Sequence, residues 1–325
     1  MSIGTFFNSY MGIYATQAFF HSLIAALIAD RALAIWQIRD PAIKQRFSLI
    51  AVLFPLFSVP LFHLINPART SISFRLDALF DSSRWMNMAI VGTFSLGWIF
   101  AALLVITSLI FLLQELIPII QHVAETRIFP QDAKPAADDP AVAQIIEGLP
   151  ADRPDIFILD DDPLLFSRTG SRAAIFLSTG LVKHLNTEQL QAAIAHEIAH
   201  VRRNKMPLLT VVFILRVLVF FNPIALLEFR RAVHEEEKVC DNIAVAMTGK
   251  PQVLAQTLRI FLQDRSVHER EEEDGQQTIE EQGHLLLLEE RIRRLEEGEH
   301  LETRSGWTVF SLTIAAITAV TYFIV

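Results

Sequence analysis

The chain contains a single cysteine, Cys240, in 325 residues. A lone thiol excludes an internal disulfide and fits a reducing compartment. A basic stripe is also missing. Lys and Arg total 28 against 36 Asp and Glu, a net charge of −8, so direct nucleic-acid binding is not expected. No internal repeat is apparent. The opening "MSIGTFFNSYMG" lacks both the basic start and the small-residue cleavage pattern of a removable signal peptide, so the first apolar segment is expected to remain as an anchor.

The most informative absence is that of charge over long stretches. Met1 to Ala29 holds no Asp, Glu, Lys or Arg, and the same is true of Phe47–Asn66, Trp85–Gln114 and Gly306–Val325. Each run reaches the roughly 20 residues a helix needs to cross a bilayer. Buried helices of a soluble core would be shorter and carry more polar punctuation. With 52% hydrophobic residues and a mean hydropathy of +0.36, the chain reads as a four-span membrane protein.

Orientation follows from the basic residues at the span ends. The first loop carries Arg31, Arg39, Lys44 and Arg46. The second carries Arg69, Arg75 and Arg84, diluted by Asp77 and Asp81. This places the N-terminus outside, the first loop and the large polar region in the cytoplasm, and the C-terminus outside.

The polar region opens with a Pro/Asp-rich linker, "FPQDAKPAADDPAV" (Phe129–Val142). "DIFILD" (Asp155–Asp160) and "AAIFLS" (Ala173–Ser178) read as short strands, with "DDDP" and "SRTGSR" as turns. Asp160, Asp161 and Asp162 are taken as a solvated turn rather than a cation site. "NTEQLQAAIAHEIAHVRRNK" reads as a helix, with Asn186 and Gln189 in capping-box positions and basic residues at its C-terminal end. A second helix covers "RRAVHEEEKVCDNIAVAMTGK" and stops at Gly249 and Pro251. Residues 264–283 are acidic and lack an apolar face; they are expected to form an exposed loop, with no ligand role for His268.

The chemistry lies in "AIAHEIAHVRR". His196 and His200, four residues apart, share one helix face with Cβ atoms about 5–6 Å apart, which suits two imidazole ligands of one zinc ion. Glu197 sits about 100° round the helix from His196, where it can take a proton from an attacking water without itself ligating. The pattern alone would arise by chance in about one such chain in fifty, and two ordinary histidines on an amphipathic helix are the bland alternative. A catalytic zinc needs a third protein ligand. The next helix offers Glu235, Glu236 and Glu237. At about 100° per residue, Glu235 falls on the solvated side, while Glu236 and Glu237 flank the apolar stripe of Val233, Cys240, Ala244 and Met247 and both stay open. Asp241, one turn after Glu237, could orient a ligating histidine.

Between these helices, Met206–Leu227 is apolar apart from Arg216. A single crossing would put His200 and Glu237 on opposite sides of the membrane. The segment is therefore expected to bend at Asn222-Pro223 and to pack on the membrane domain.

"HEIAHVRR", "FFNPIALL" and "EKVCD" together resemble the BlaR/MecR family of membrane sensor metallopeptidases. The lead-in "IFLSTGLVKHLNTEQLQAAIAHE" is similar both to that family and to HtpX-type membrane proteases. The resemblance covers Asp155 to Gly249 and the arrangement of three spans before and one after. It implies Glu237 as third ligand and Asp241 as the acid supporting a ligand; the Cys-Asp pair favours BlaR/MecR. Asn204 departs from the family's usual Asp. The family's penicillin-binding sensor domain is not found up to Val325, so β-lactam sensing by that route is not expected.

The sequence thus predicts a mainly α fold with a small β-sheet. Residues 1–120 would form a membrane domain with three spans, 121–305 a cytoplasmic gluzincin-like zinc metallopeptidase domain with the bent segment 206–227, and 306–325 a fourth span in the inner membrane. Zn2+ would be held by His196, His200 and Glu237, with Glu197 as general base and Asp241 behind the ligands. The strand Ala173–Ser178 is a candidate edge for an extended substrate. The resemblance further implies cleavage of a cytoplasmic repressor, such as a small winged-helix protein, and of the protease itself. Arg293-Arg294, taken as exposed, is a candidate self-cleavage site, against a basic helix face as the plainer reading. Expected partners are the lipid bilayer, a protein substrate and a second copy of the chain. The rivals are an HtpX-type quality-control protease and a non-catalytic zinc-binding receptor.

Overall fold

The computed structural model describes residues 3–120, 133–161, 163–168, 173–203, 208–272, 279–298 and 306–325. Asp162, Asn204 and the linker residues 129–132 lie outside them. In chain order, α1 (Tyr10–Ile35) and α2 (Pro41–Ile65) precede the hairpin β1 (Ala89–Val91) and β2 (Phe94–Ser95). Next comes α3 (Leu96–Phe111), which continues through a π turn at Leu112–Leu116. Then come β3 (Lys134–Pro135), α4 (Pro140–Glu147), β4 (Asp155–Leu159), β5 (Leu165–Arg168) and β6 (Ala174–Ser178). The remaining helices are α5 (Thr179–His184), α6 (Thr187–Arg203), α7 (Leu208–Arg216), α8 (Pro223–Thr248), α9 (Pro251–Glu272), α10 (Ile279–Glu296) and α11 (Trp307–Tyr322). The fold is mainly helical, and its elements group into two units. One comprises the described residues of 1–127, 208–235 and 304–325; the other comprises those of 128–207 and 236–303.

In the first unit, three helices are long and apolar enough to cross a membrane: Tyr10–Ile35, Pro41–Ile65 and Leu96–Ile120. The third starts later than its charge-free run, because Gly92 at φ +56° turns the chain into the β1–β2 hairpin first. The fourth run forms a regular helix of only 16 residues, about 24 Å long at 1.5 Å per residue. It nevertheless lies alongside α2 from end to end. The Arg46 guanidinium stands 4.7 Å over the Trp307 ring, Phe47 meets Phe310 at 5.5 Å and Phe62 meets Tyr322 at 5.4 Å. Beyond the helix, Val325 N donates to Phe80 O at 2.9 Å.

The apolar segment bends where proline and asparagine demand it. α7 ends at Arg216, a 3-10 turn follows at Val217–Val219, and α8 starts at Pro223. Asn222 is fully buried. Its Oδ1 accepts from Ile224 N at 3.0 Å, capping α8, while its Nδ2 donates to Ala18 O at 3.1 Å and Ser22 Oγ at 2.9 Å. Arg216 is 1% exposed. It pairs with Glu115 and lies 4.9 and 5.0 Å from the Phe111 and Phe229 rings. A charge so placed must be paired, since burying it alone would cost several kcal/mol.

In the second unit the sheet order is β3-β4-β6-β5, with β4 and β6 parallel and the other pairs antiparallel. Ala174–Ser178 is therefore a central strand and not the expected edge. All five of its residues are buried, as an apolar run covered on both faces should be. The edge beside it is β5, which the sequence reading passed over as a turn. Phe157, Phe176 and Phe166 stack across the three strands at 5.6 and 5.0 Å. Lys134–Pro135, read as linker, pairs with Phe157–Ile158 as the opposite edge, a position where proline costs no ladder hydrogen bond. Leu190, Ile194 and Ile198 of α6 join Ile175 and Leu177 in one core. The acidic stretch expected to be a loop is helical through Glu272 and again from Ile279; 273–278 lie outside the described residues.

Candidate metal centre

The helix carrying the two histidines begins with a reciprocal cap. Asn186 N donates to Gln189 Oε1 at 3.1 Å and Gln189 N to Asn186 Oδ1 at 2.9 Å. One face of α6 is core, with Ile194 and Ile198 fully buried. His196 and His200 stand on the adjoining face, their ring centroids 4.7 Å apart. Helix α8 brings Glu237 to them and ends at Gly249, whose φ of +68° only glycine adopts without strain.

His196 Nε2 lies 3.1 Å from His200 Nε2 and 3.5 Å from Glu237 Oε2, and His200 Nε2 lies 3.5 Å from Glu237 Oε1. A tetrahedral zinc with ligands at about 2.0–2.1 Å sets its donor atoms about 3.3 Å apart. The three spacings bracket that value, so this donor set fits such an ion. Among the described residues, these three form the one His/Cys/Asp/Glu group with metal-ligand spacing.

The neighbouring glutamate is employed elsewhere. Glu236 takes a two-pronged pair from Arg203, with Nε at 2.8 Å and Nη2 at 2.6 Å. The two acids that helical geometry left open are thus separated by their partners. Asp241, fully buried, stands 3.1 Å from His196 Nδ1, although that ring nitrogen has no well-aligned acceptor. Cys240 Sγ lies 3.5 Å from His200 Nδ1.

One residue that sequence reasoning missed sits at the centre of the site. Arg291, from α10, binds Asp241 with Nε at 2.8 Å and Nη2 at 2.7 Å. Its Nη1 reaches Glu237 Oε2 at 3.0 Å, and Nη2 is 3.5 Å from His196 Nε2. The signal was present: Leu288, Arg291, Ile292 and Leu295 follow an i, i+3, i+4, i+7 stripe, so an arginine occupies the core face of an amphipathic helix and requires a buried acid. Arg294 is also buried, donating to Asn242 Oδ1 at 2.5 Å. Arg293, more exposed, pairs with Glu297 at 2.7 Å. The Arg293-Arg294 bond is therefore inside a helix and half covered, which corrects its reading as an exposed cleavage site.

These contacts set the protonation of the group. Burial alone would lower His196, but the carboxylates of Asp241 and Glu237 outweigh it and lift it from 6.5 to about 9. Burial would raise Glu237 and Asp241. The histidines and Arg291 hold Glu237 well below the usual carboxylate range, and Arg291 and His196 do the same for Asp241. Burial pushes the Cys240 thiol far up, and the acids around it push it further, so it is an inert thiol.

A cavity of about 400 Å³ opens against the group. Glu197, His196 and Arg291 line it, and Leu165, Leu254 and Phe261 are among its apolar walls. A carboxylate that lines this space together with His196 is an arrangement that can take a proton from water.

A model of the family described as BlaR1 peptidase M56 matches residues 68–253. The chain is also similar to proteins called protease HtpX homolog. The one from Streptococcus equi subsp. zooepidemicus is 41% identical over 61 residues, 18% of this chain and 20% of that one. The one from Streptococcus agalactiae is 26% identical over 130 residues, 38% and 42% of the two chains. The one from Thermoanaerobacter pseudethanolicus is 35% identical over 75 residues, 22% and 24%. The chain spans less than half the length of these curated relatives.

Proposed function

The chain belongs to the BlaR1 peptidase M56 family, whose model covers more than half of it, and from that membership we propose that it is a membrane-bound zinc endopeptidase acting on a cytoplasmic protein. The observation that carries the reading is the donor triangle of His196, His200 and Glu237, spaced as zinc requires, beside a glutamate-lined cavity. Bound there, zinc supplies Lewis-acid polarisation of the scissile carbonyl and of the attacking water.

The chain's own residues do the rest. Glu197 accepts the water's proton and returns it to the leaving amine. Asp241 holds His196 from behind, and Arg291 balances the two buried acids. An extended substrate adds along the outer edge of β5, where Leu165 lines the cavity.

Four spans, with the peptidase unit and the first loop in the cytoplasm, follow from the basic residues of the loops and from the path of α11 along α2. Signal-driven cleavage of a repressor follows from the BlaR/MecR-like motifs. The HtpX-type relatives favour a second reading, the clearing of damaged membrane proteins. Cleavage in vitro of a small winged-helix repressor encoded beside this chain would favour the first, and its resistance the second.

The primary test pairs metal content with casein cleavage for the wild type and Glu197→Gln. Both should hold about one zinc, and only the wild type should cleave, with the variant slower by about a hundred-fold or more. Equal cleavage by both, or no zinc in either, would sink the assignment.

A further inference from the structure

The membrane unit contains a second cavity, of about 180 Å³, at the end where α1 begins and α2 finishes. Its lining includes Arg69, Arg75, Tyr14, Gln17, Ser82 and Ser83. Arg75 is neutralised by a two-pronged pair to Asp81, both bonds at 2.8 Å. Arg69 is not. It is 3% exposed, and no acid stands within ion-pairing distance of it among the described residues. Its Nη2 donates to the carbonyls of Tyr322 and Ile324 at 3.0 and 2.9 Å, and its guanidinium rests on Phe62, Tyr322 and Phe74 at 4.9, 5.4 and 5.9 Å.

Carbonyls and ring faces hold a cation in place but leave its charge uncompensated. Two further polar groups lack partners in this region among the described residues. The buried Nε of Arg69 has no acceptor. Gln17, only 7% exposed, lines the space, and among the described residues no partner meets its amide. An unpaired buried cation is expensive unless something completes it. By contrast, the equally buried Arg216 of the same unit has its carboxylate, Glu115.

We propose that this cavity is a binding site for a phosphate-bearing anion. The polar groups approach from different elements: Arg69 from the loop after α2, and Gln17 and Tyr14 from α1; the hydroxyls of Ser82 and Ser83, on the short helix Ser82–Met86, are shared with Thr16 and Asp81. Such a spread suits the several acceptor oxygens of a tetrahedral anion better than the two of a planar carboxylate. The volume admits a headgroup and little more. Tyr10, which lines the cavity, is 68% exposed, and Leu64 and Ile65, which follow the lining residue His63 in the chain, are 78% and 65% exposed, so a tailed phosphate could leave its chains on apolar surface. The shared chemistry is the phosphate; its source is either an anionic lipid or a small soluble ester.

The test uses the full chain purified in a neutral detergent, titrated calorimetrically with glycerol 1-phosphate and, separately, with dihexanoylphosphatidylglycerol. Saturable binding of at least one is expected. If only the tailed probe binds, the source is the bilayer; equal binding of both indicates a soluble anion. Arg69→Gln should weaken binding by about ten-fold or more, and Tyr14→Phe, which removes one hydroxyl and no packing, by a few-fold. Should Arg69→Gln fail to fold, Tyr14→Phe decides. The proposal is overturned if neither probe saturates, or if the folded variants bind as the wild type does. The readout is binding and not proteolysis, so its outcome is independent of the peptidase assignment.

Discussion

At the scale of single residues, the candidate metal group depends on a charge balance centred on Arg291. Asp241 is fully buried, and Arg291 supplies two of its hydrogen bonds. Arg291→Met would leave that carboxylate uncompensated at a cost of about 3–5 kcal/mol, while Arg291→Lys would keep the charge and lose the fork. We expect a large fall in the thermal midpoint of the zinc-free protein for Met and a smaller one for Lys, with zinc affinity about 10- to 100-fold weaker in the Met variant. An unchanged midpoint would show that Arg291 is a bystander.

The same group makes stability depend on pH. In the metal-free chain the pKa of His196 is lifted from 6.5 to about 9, so its contribution is complete below 6.5 and drains away as pH rises through 9. Glu237 and Asp241, whose pKa values are depressed, contribute above their ordinary range of about 4 and lose that contribution on acidification. Metal-free protein should therefore lose stability between pH 6.5 and 9. Added zinc must displace the His196 proton, so its stabilising increment should grow over the same interval. Thermal scans at several pH values with and without zinc would test this, and parallel curves would count against it.

At the scale of elements, legibility followed locality. The cap of α6 could be read because Asn186 and Gln189 are three residues apart, and the bend at Asn222-Pro223 because proline dictates its own neighbourhood. The choice between Glu236 and Glu237 could not be made from helical angle, since the deciding partner of Glu236 is Arg203, 33 residues away. Arg291 is 50 residues from Asp241, beyond an acidic run that drew attention to solvent. Strand order was likewise invisible: a buried apolar strand advertises burial but not its neighbours, and the short β5 carries no strong pattern.

That strand order now carries a prediction. If substrate pairs with the free edge of β5, its backbone N–H groups alternate between facing the strand and facing away. N-methylating successive amides of a cleaved peptide should therefore reduce kcat/KM by about ten-fold at alternate positions and leave those between largely unaffected. Uniform tolerance would exclude strand addition.

At the scale of the whole molecule, the number of crossings turns on α11. Its 16 helical residues fall short of a span by length, yet its neighbours run from Arg46 at the start of α2 to Phe80 beyond its end. We propose that a segment accompanying α2 throughout crosses wherever α2 crosses, with the non-helical turn to Val325 completing the distance. Residue chemistry makes this testable, because the native thiol, Cys240, is buried and held in its unreactive form and gives no labelling background. Single cysteines can then be placed at Gln37, Ala78 and Glu147, in the first loop, the second loop and the peptidase unit. An impermeant maleimide applied to intact spheroplasts should label Ala78→Cys alone; Gln37→Cys and Glu147→Cys should react only after lysis. Labelling of Glu147→Cys in intact spheroplasts would put the catalytic unit outside and remove cytoplasmic proteins from its substrates. Labelling of Gln37→Cys and Ala78→Cys from the same side would mean that α2 does not cross, and α11 would lose its claim to cross with it.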